Sequence, residues 1–271
     1  MRSRIEELQA AIAGIGPLVV GFSGGVDSAL LAVAAHRTLR PGQVLAVTAN
    51  SASLGSGELD HCRSFAAQWD LEWATVNTQE FDDDRYLANN GDRCFWCKTA
   101  LMDQLEPVAR ARGATVTLGV NVDDLGDHRP GQQAAAERGA RFPLVEAGFT
   151  KADIRAAARH LGLAEWDRPA MPCLSSRLPY GTAVTVPILS RVDRAEGALH
   201  RLGFGEVRVR HYDDTARIEV PPADLSRVVE AADAVVAAVS GAGYRYVTLD
   251  LAGFRSGNLN QALAPVTAAR P

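Results

Sequence analysis

The stretch Ser23-Gly24-Gly25-Val26-Asp27-Ser28 decides how the chain is read. Before it stands Leu18-Val19-Val20-Gly21-Phe22, short, apolar and partly β-branched, as a buried parallel strand should be. After it, Ala29 to Ala35 is rich in strong helix formers and holds no breaker. The segment therefore reads strand, glycine turn, helix.

The same alternation continues outward. It predicts a strand over 17–22, a helix over 28–39, a strand over 44–48, a helix near 56–69 and a strand over 72–76. A helix near 98–112, with a kink expected at Pro107, leads to a strand over 115–120. This order predicts an α/β fold, a doubly wound parallel sheet that binds ligands at the carboxyl ends of its strands. The six-residue turn lies at such an end.

The stretch from Asp167 to Thr185 has weak periodicity and several prolines and glycines, and reads as a long loop. Beyond it the pattern changes to a helix over 188–202, strands over 206–211 and 216–220, a helix over 222–240 and a strand over 244–251. The expected organisation is a first domain over 1–170, a cysteine-bearing loop over 171–185 and a smaller C-terminal α+β domain over 186–271. An alanine-rich tail ending in proline is expected to fray.

Composition narrows the class. The chain has 271 residues, 47% of them hydrophobic and 22% charged, as in an ordinary soluble protein. With 28 basic against 32 acidic residues, the net charge of -4 argues against a broad surface for nucleic acid, although a local basic groove stays open. The N-terminal MRSRIEELQAAIAGIG reads as a charged amphipathic helix, and no run reaches the roughly 20 apolar residues of a membrane span. A cytoplasmic location and no membrane partner are expected. In such a reducing compartment the four cysteines are read for metal or redox chemistry rather than disulfides.

Adjacent glycines let backbone N–H groups approach an anion, and the helix that follows adds its partial positive charge. Ser23 and Ser28 can donate hydroxyl bonds to phosphate oxygens. Asp27 would repel a phosphate unless a divalent cation lay between them, which points to magnesium. Neither a Walker lysine loop nor a GxGxxG fingerprint is present. The plain alternative is a glycine turn with a serine or aspartate cap. The hexapeptide in this context resembles the pyrophosphate loop, or PP-loop, of the ATP pyrophosphatase superfamily, whose members split ATP into AMP and pyrophosphate. The segment Gly119-Val120-Asn121-Val122-Asp123-Asp124 resembles the superfamily's G-x-N-x-D-D segment near the nucleotide, its alternative being an Asn-Asp turn. Residues 48–51, after the second strand, are candidates to touch adenine.

Cys94 and Cys97 form a C-x-x-C pair in GDRCFWCK, and Cys173 lies in MPCLSSRLPYG. Three readings compete: a redox pair, disfavoured because the pair does not open a helix after a first strand; a zinc site completed by His128 or another group; and a [4Fe-4S] cluster on three cysteines with one iron open. Cys62 shares a helix face with Leu59, Ala66 and Trp69 and reads as an inert core thiol. Trp96 is read as packing or as a shield for a metal centre.

The strings PCLSSRLPYGT, RVR within residues 207–210, ARIEV and YRYVTLDLAGFRSGNLN resemble the LarE family of ATP-dependent sulfur transferases, which build a nickel-pincer cofactor for lactate racemase. The resemblance runs from the glycine turn to Asn260. It implies adenylation of a carboxylate of pyridinium-3,5-biscarboxylic acid mononucleotide, a small-molecule partner, followed by replacement of oxygen by sulfur. Some members sacrifice the cysteine matching Cys173 and leave dehydroalanine; others hold a cluster on three cysteines matching Cys94, Cys97 and Cys173. This chain carries all three, so the cluster type is expected.

The resemblance further implies ATP contacts by Ser23, Gly24, Gly25, Asp27, Ser28, Gly119, Asn121, Asp124 and Arg177, and catalysis by Cys173, Asp27, Arg208 and Arg210. Arg208 and Arg210 alternate along a strand and so face one way, which suits a phosphate or carboxylate. Arg255 is a further candidate. Glu196 and Glu219 resemble acidic positions of the family near the active site, which implies a part in holding magnesium. A homo-oligomer, hexameric as in relatives, is also implied. The competing functions are a tRNA thiolase, an amide-forming synthetase and a non-catalytic nucleotide-binding module.

Overall fold

Leu18, Val19 and Val20 are all buried, so the strand they form must be covered on both faces, and it occupies the inside of a sheet. The computed structural model describes residues 1–126, 130–255 and 258. His128 and the C-terminal tail lie outside the described residues. The chain separates into two compact units, one of 1–51, 57–83 and 92–171, the other of 52–56, 84–91 and 172 onward. In chain order the strands are β1 (Leu18–Gly21), β2 (Val44–Asn50), β3 (Trp73–Asn77), β4 (Thr115–Leu118), β5 (Arg208–Tyr212), β6 (Thr215–Glu219) and β7 (Tyr246–Leu249). The helices are α1 (Arg2–Ile15), α2 (Val26–Thr38), α3 (Glu58–Gln68), α4 (Asp84–Leu87), α5 (Arg93–Arg112), α6 (Pro130–Glu137), α7 (Pro143–Glu146), α8 (Lys151–Leu161), α9 (Val186–Arg201), α10 (Leu225–Glu230) and α11 (Ala232–Gly241).

In the first unit the strand order is β3-β2-β1-β4, every pair parallel. The period of two along β1 sends Leu18 and Val20 into a core with α1, α2 and α8, and Val19 into a second core with Met102, Leu105 and Ala109 of α5. Helices thus cover both faces, as the sequence predicts. The chain leaves β1 toward β2 on one side and reaches β4 on the other, so the carboxyl ends of β1 and β4 form the point where strand order reverses. Open α/β sheets bind ligands at such a point.

Two local differences matter. Helix α5 begins at Arg93, five residues before the expected start, and runs through Pro107 to Arg112. The C-x-x-C pair therefore sits at its N-terminal end. It opens a helix after all, but one that follows β3 in the chain. Helices α6, α7 and α8 fill a stretch that periodicity left unassigned. Of these, α8 carries a complete capping box, with Thr150 Oγ1 accepting from Asp153 N and Asp153 accepting from Thr150 N.

In the second unit β5 and β6 form an antiparallel pair, and β7 adds parallel to β6. Val209, Ala216 and Ile218 turn one face toward Ala195, Leu199, Val235 and Val239, making the unit's own core. The helix expected over 222–240 is broken: Pro222–Asp224 is a 3-10 turn, and Ala231, at φ -98° and ψ 20°, separates α10 from α11. Among the described residues, no helix is long and apolar enough to cross a membrane.

Candidate active site

In the first unit, β1 holds its register to its end, with Phe22 N donating to Val47 O at 2.8 Å. Gly24 then takes a φ of 72°, a region that strains any side chain. A Cβ there would also lie 2.9 Å from Cys62 Sγ and 2.9 Å from His61 Cδ2. Ser28 closes the turn: its Oγ donates to Gly25 O at 3.0 Å, accepts from Ser23 N at 3.2 Å and lies 3.2 Å from Ser23 Oγ. The Gly24 carbonyl accepts from Arg168 Nη1 at 3.2 Å and faces His61 Nε2 at 3.3 Å, while Arg168 Nη2 donates to Glu58 Oε1 at 2.7 Å. These contacts hold the Gly24 carbonyl against its own unit.

The segment after β4 lies directly on the first turn of α2. A Cβ at Gly119 would stand 2.7 Å from Ser28 N and 2.9 Å from the Asp27 carbonyl carbon, both backbone atoms that cannot yield. That approach brings Asn121 to Asp27: Asn121 Nδ2 donates to Asp27 Oδ1 at 3.2 Å. Asn121 N donates to Asp124 Oδ2 at 3.2 Å, and Asp123 Oδ2 accepts from Lys151 N at 2.8 Å. The second Asp27 oxygen accepts from Lys151 Nζ. Asn121 is buried, and its Oδ1 has no hydrogen-bond partner among the described residues. Oxygen donors of this kind fit a hard divalent cation.

Of the candidate adenine residues, Thr48 is buried and engaged on both sides, donating to Phe22 O at 2.8 Å and accepting from Trp73 Nε1 at 2.9 Å. Asn50 bonds Asn77, and Ser51 bonds Glu80.

Cys94 is exposed and Cys97 half-buried, one helical turn apart and so on neighbouring positions of α5. Trp96 Nε1 donates to Asp92 Oδ2 at 2.9 Å, and its ring meets Phe95 edge-on with centroids 4.9 Å apart. Cys62 is fully buried, as its helix face predicts, and burial pushes its thiol pKa up.

In the second unit, Cys173 precedes a 3-10 turn, Leu174–Arg177. The turn is built around Arg177, which is 1% exposed. Its Nε and Nη2 bond Glu196 Oε1 and Oε2 at 2.9 and 2.8 Å, and its Nη1 donates to Pro172 O at 2.6 Å, Cys173 O at 3.2 Å and Ser176 Oγ at 3.0 Å. Glu196 Oε1 also accepts from Val209 N at 2.8 Å. Arg210 places Nε and Nη2 on Glu219 Oε2 at 2.9 and 2.7 Å and donates from Nη1 to Ser176 O at 2.8 Å. Glu219 Oε1 accepts from Arg217 Nη2 at 3.1 Å and Asn258 Nδ2 at 2.7 Å.

Arg208 and Arg210 share one face of β5, as their alternation predicts, and both are buried. The Arg208 guanidinium lies 5.2 Å from the centroid of the Phe254 ring, and burial, then the charge of Arg177, push its pKa down. A guanidinium so placed gains from an anionic ligand. Arg255 lies 4.0 Å from Asp250. Every carboxylate oxygen of Glu196 and Glu219 accepts at least one hydrogen bond, so a magnesium ion at either would compete with the guanidiniums already there. Among the described residues, no three His, Cys, Asp or Glu side chains gather as a metal centre.

Sequence reasoning missed Lys151, Arg168, His61 and Arg217. The capping signal Thr150-Lys151-Ala152-Asp153 marks the helix that delivers Lys151.

A glycine turn at the switch point of a parallel sheet, with an aspartate in the first turn of the next helix, defines a PP-loop protein of the ATP pyrophosphatase class. Residues 5–99 match the NAD synthase family model. The chain is 39% identical over 257 residues to the pyridinium-3,5-bisthiocarboxylic acid mononucleotide synthase of Lactiplantibacillus plantarum, covering 94% of this chain and 93% of that one. It is 44% identical to an uncharacterized protein of Synechocystis sp. over 97% of this chain and 99% of the relative. A further uncharacterized protein, from Methanocaldococcus jannaschii, is 24% identical over 88% of this chain and 91% of its own length. The chain belongs to the LarE family, that of the pyridinium-3,5-bisthiocarboxylic acid mononucleotide synthase.

Proposed function

We propose that the protein is an ATP-dependent sulfur transferase that converts carboxylates of pyridinium-3,5-biscarboxylic acid mononucleotide to thiocarboxylates. The observation that carries this reading is the similarity, over 94% of the chain, to a synthase of the bisthiocarboxylic acid product. A carboxylate is a poor electrophile. Its oxygen attacks the α-phosphorus of ATP, the bond to pyrophosphate breaks, and AMP is left joined to the acyl carbon as a good leaving group. A sulfur nucleophile then adds to that carbon and AMP departs.

In this reading Ser23, Gly24, Gly25 and Ser28 hold the pyrophosphate by backbone N–H groups and hydroxyls. Asp27, with Gly119, Asn121 and Asp124 behind it, faces a magnesium ion bound with the nucleotide. Arg208 and Arg210 receive anionic groups of the pyridinium mononucleotide. Arg177 keeps the Cys173 backbone in shape, a positioning task suited to a guanidinium that grips two carbonyls.

For the sulfur source, Cys94, Cys97 and Cys173 are read as thiolate ligands of a [4Fe-4S] cluster, in keeping with the family's three-cysteine members. Bound there, such a cluster supplies an iron open to extra sulfide. The protein is further read as a cytoplasmic homo-oligomer, hexameric by the same resemblance, with no nucleic-acid or membrane partner.

The test is pyrophosphate release with ATP and the pyridinium mononucleotide, together with intact mass after turnover. Release that requires both substrates, with thiocarboxylate formed and the chain mass unchanged, is expected of the anaerobically purified brown protein. ATP hydrolysis indifferent to the pyridinium substrate would overturn the function. A loss of about 34 Da, one hydrogen sulfide, would instead make Cys173 the consumed donor and remove the cluster from the reading.

A further inference from the structure

Lys151 stands out because its ammonium lies on the one carboxylate of the glycine turn. Lys151 opens α8, and its backbone N is fixed by Asp123 Oδ2 at 2.8 Å. From that anchor the side chain reaches Asp27 Oδ2, while Asn121 Nδ2 holds Oδ1. The Lys151 side chain is 38% exposed, so it has room to swing away, whereas Asp27 is 21% exposed and fixed in the first turn of α2. Beside the pair, the buried Asn121 Oδ1 has no partner among the described residues. An unpaired acceptor next to a carboxylate held by a mobile cation describes a place where one positive charge stands in for another.

We propose that Lys151 is a displaceable counter-ion of Asp27. In the nucleotide-free protein its ammonium neutralises the carboxylate and denies it to divalent cations. When ATP arrives with its cation, Lys151 transfers its hydrogen bonds to the phosphate oxygens, and Asp27 turns to the metal. A second cation at hydrogen-bond distance from the same carboxylate is repelled by the first, so lysine and metal each weaken the other's hold on Asp27. The inference rests on the ATP reading, yet it makes a claim about the protein without nucleotide. Asp27 is then a poor metal site until substrate binds, which links cation uptake to ATP.

The test uses manganese alone, followed by electron paramagnetic resonance of the free ion, on the full chain without ATP. The wild type is expected to bind Mn2+ weakly. Lys151→Met is expected to bind it more tightly by roughly tenfold or more, because a competing charge at contact distance is gone. Lys151→Arg keeps the charge and should stay near the wild type. Asp27→Asn in the Lys151→Met background should abolish the gain. Equal Mn2+ affinity in wild type and Lys151→Met, or a gain that survives Asp27→Asn, would overturn the proposal. As no nucleotide is present, that result is distinct from any failure of pyrophosphate release, which would count against the ATP reading itself. With ATP, Lys151→Met should raise the KM for MgATP more than it lowers kcat.

Discussion

The Arg177 guanidinium meets the Glu196 carboxylate through two parallel bonds of 2.9 and 2.8 Å in a place where both side chains are buried. Removing one partner strands a buried charge, which costs about 3–5 kcal/mol. Glu196→Gln should lower the stability of the second unit by that order in denaturant unfolding. Arg177→Lys should weaken it as well, because an ammonium cannot span two carboxylate oxygens and still grip the Pro172 and Cys173 carbonyls. A wild-type unfolding curve for Glu196→Gln would show that the pair contributes nothing net.

Gly119→Ala is expected to impair the proposed nucleotide site from the neighbouring strand. The new methyl would press on Ser28 N at 2.7 Å, and the backbone of α2 would have to shift, at a cost of about 1–3 kcal/mol. The KM for ATP should rise while far-ultraviolet circular dichroism stays unchanged. An unaltered KM would mean that the β4 segment does not set the geometry of the turn.

His211 is buried, faces the Tyr244 hydroxyl at 3.1 Å, and has its pKa lowered first by burial and then by Arg191. The folded protein therefore keeps this imidazole neutral at a pH where the unfolded chain protonates it. Between those two pKa values the unfolded state binds more protons, so stability falls as pH drops below the ordinary imidazole range. His211→Asn should flatten that slope in unfolding free energies measured from neutral to mildly acidic pH.

Alkylation should distinguish the cysteines by position. Cys94 is exposed, whereas Cys62 is fully buried and holds its proton above the usual thiol range. Peptide mapping of the cluster-free protein after brief iodoacetamide treatment should find Cys94 modified and Cys62 untouched until the protein is unfolded. Early labelling of Cys62 would contradict the packing beneath Gly24.

The first unit was readable because its strands are continuous apolar runs and its turn is glycine-rich. Burial on both faces leaves such a signature. The face shared by Arg208 and Arg210 was likewise legible from a period of two. Less legible was the start of α5, since Cys, Phe and Trp are weak helix formers and the helix begins in spite of them. Lys151 escaped because nothing in its own sequence neighbourhood refers to Asp27, 124 residues earlier. The engagement of Glu196 and Glu219 by arginines was hidden for the same reason: a carboxylate's partner is a property of the fold, while sequence shows only that a charge exists.

Helix α2 is enclosed along most of its length, with Ala29 to Ala35 all buried. Small side chains let its neighbours pack closely, so the proposed anion seat at its N-terminus is mounted on a buried, well-packed helix. Amide protons along this helix should rank among the slowest to exchange with deuterated solvent, even with no nucleotide present. Little of the nucleotide's binding energy then goes into ordering the protein.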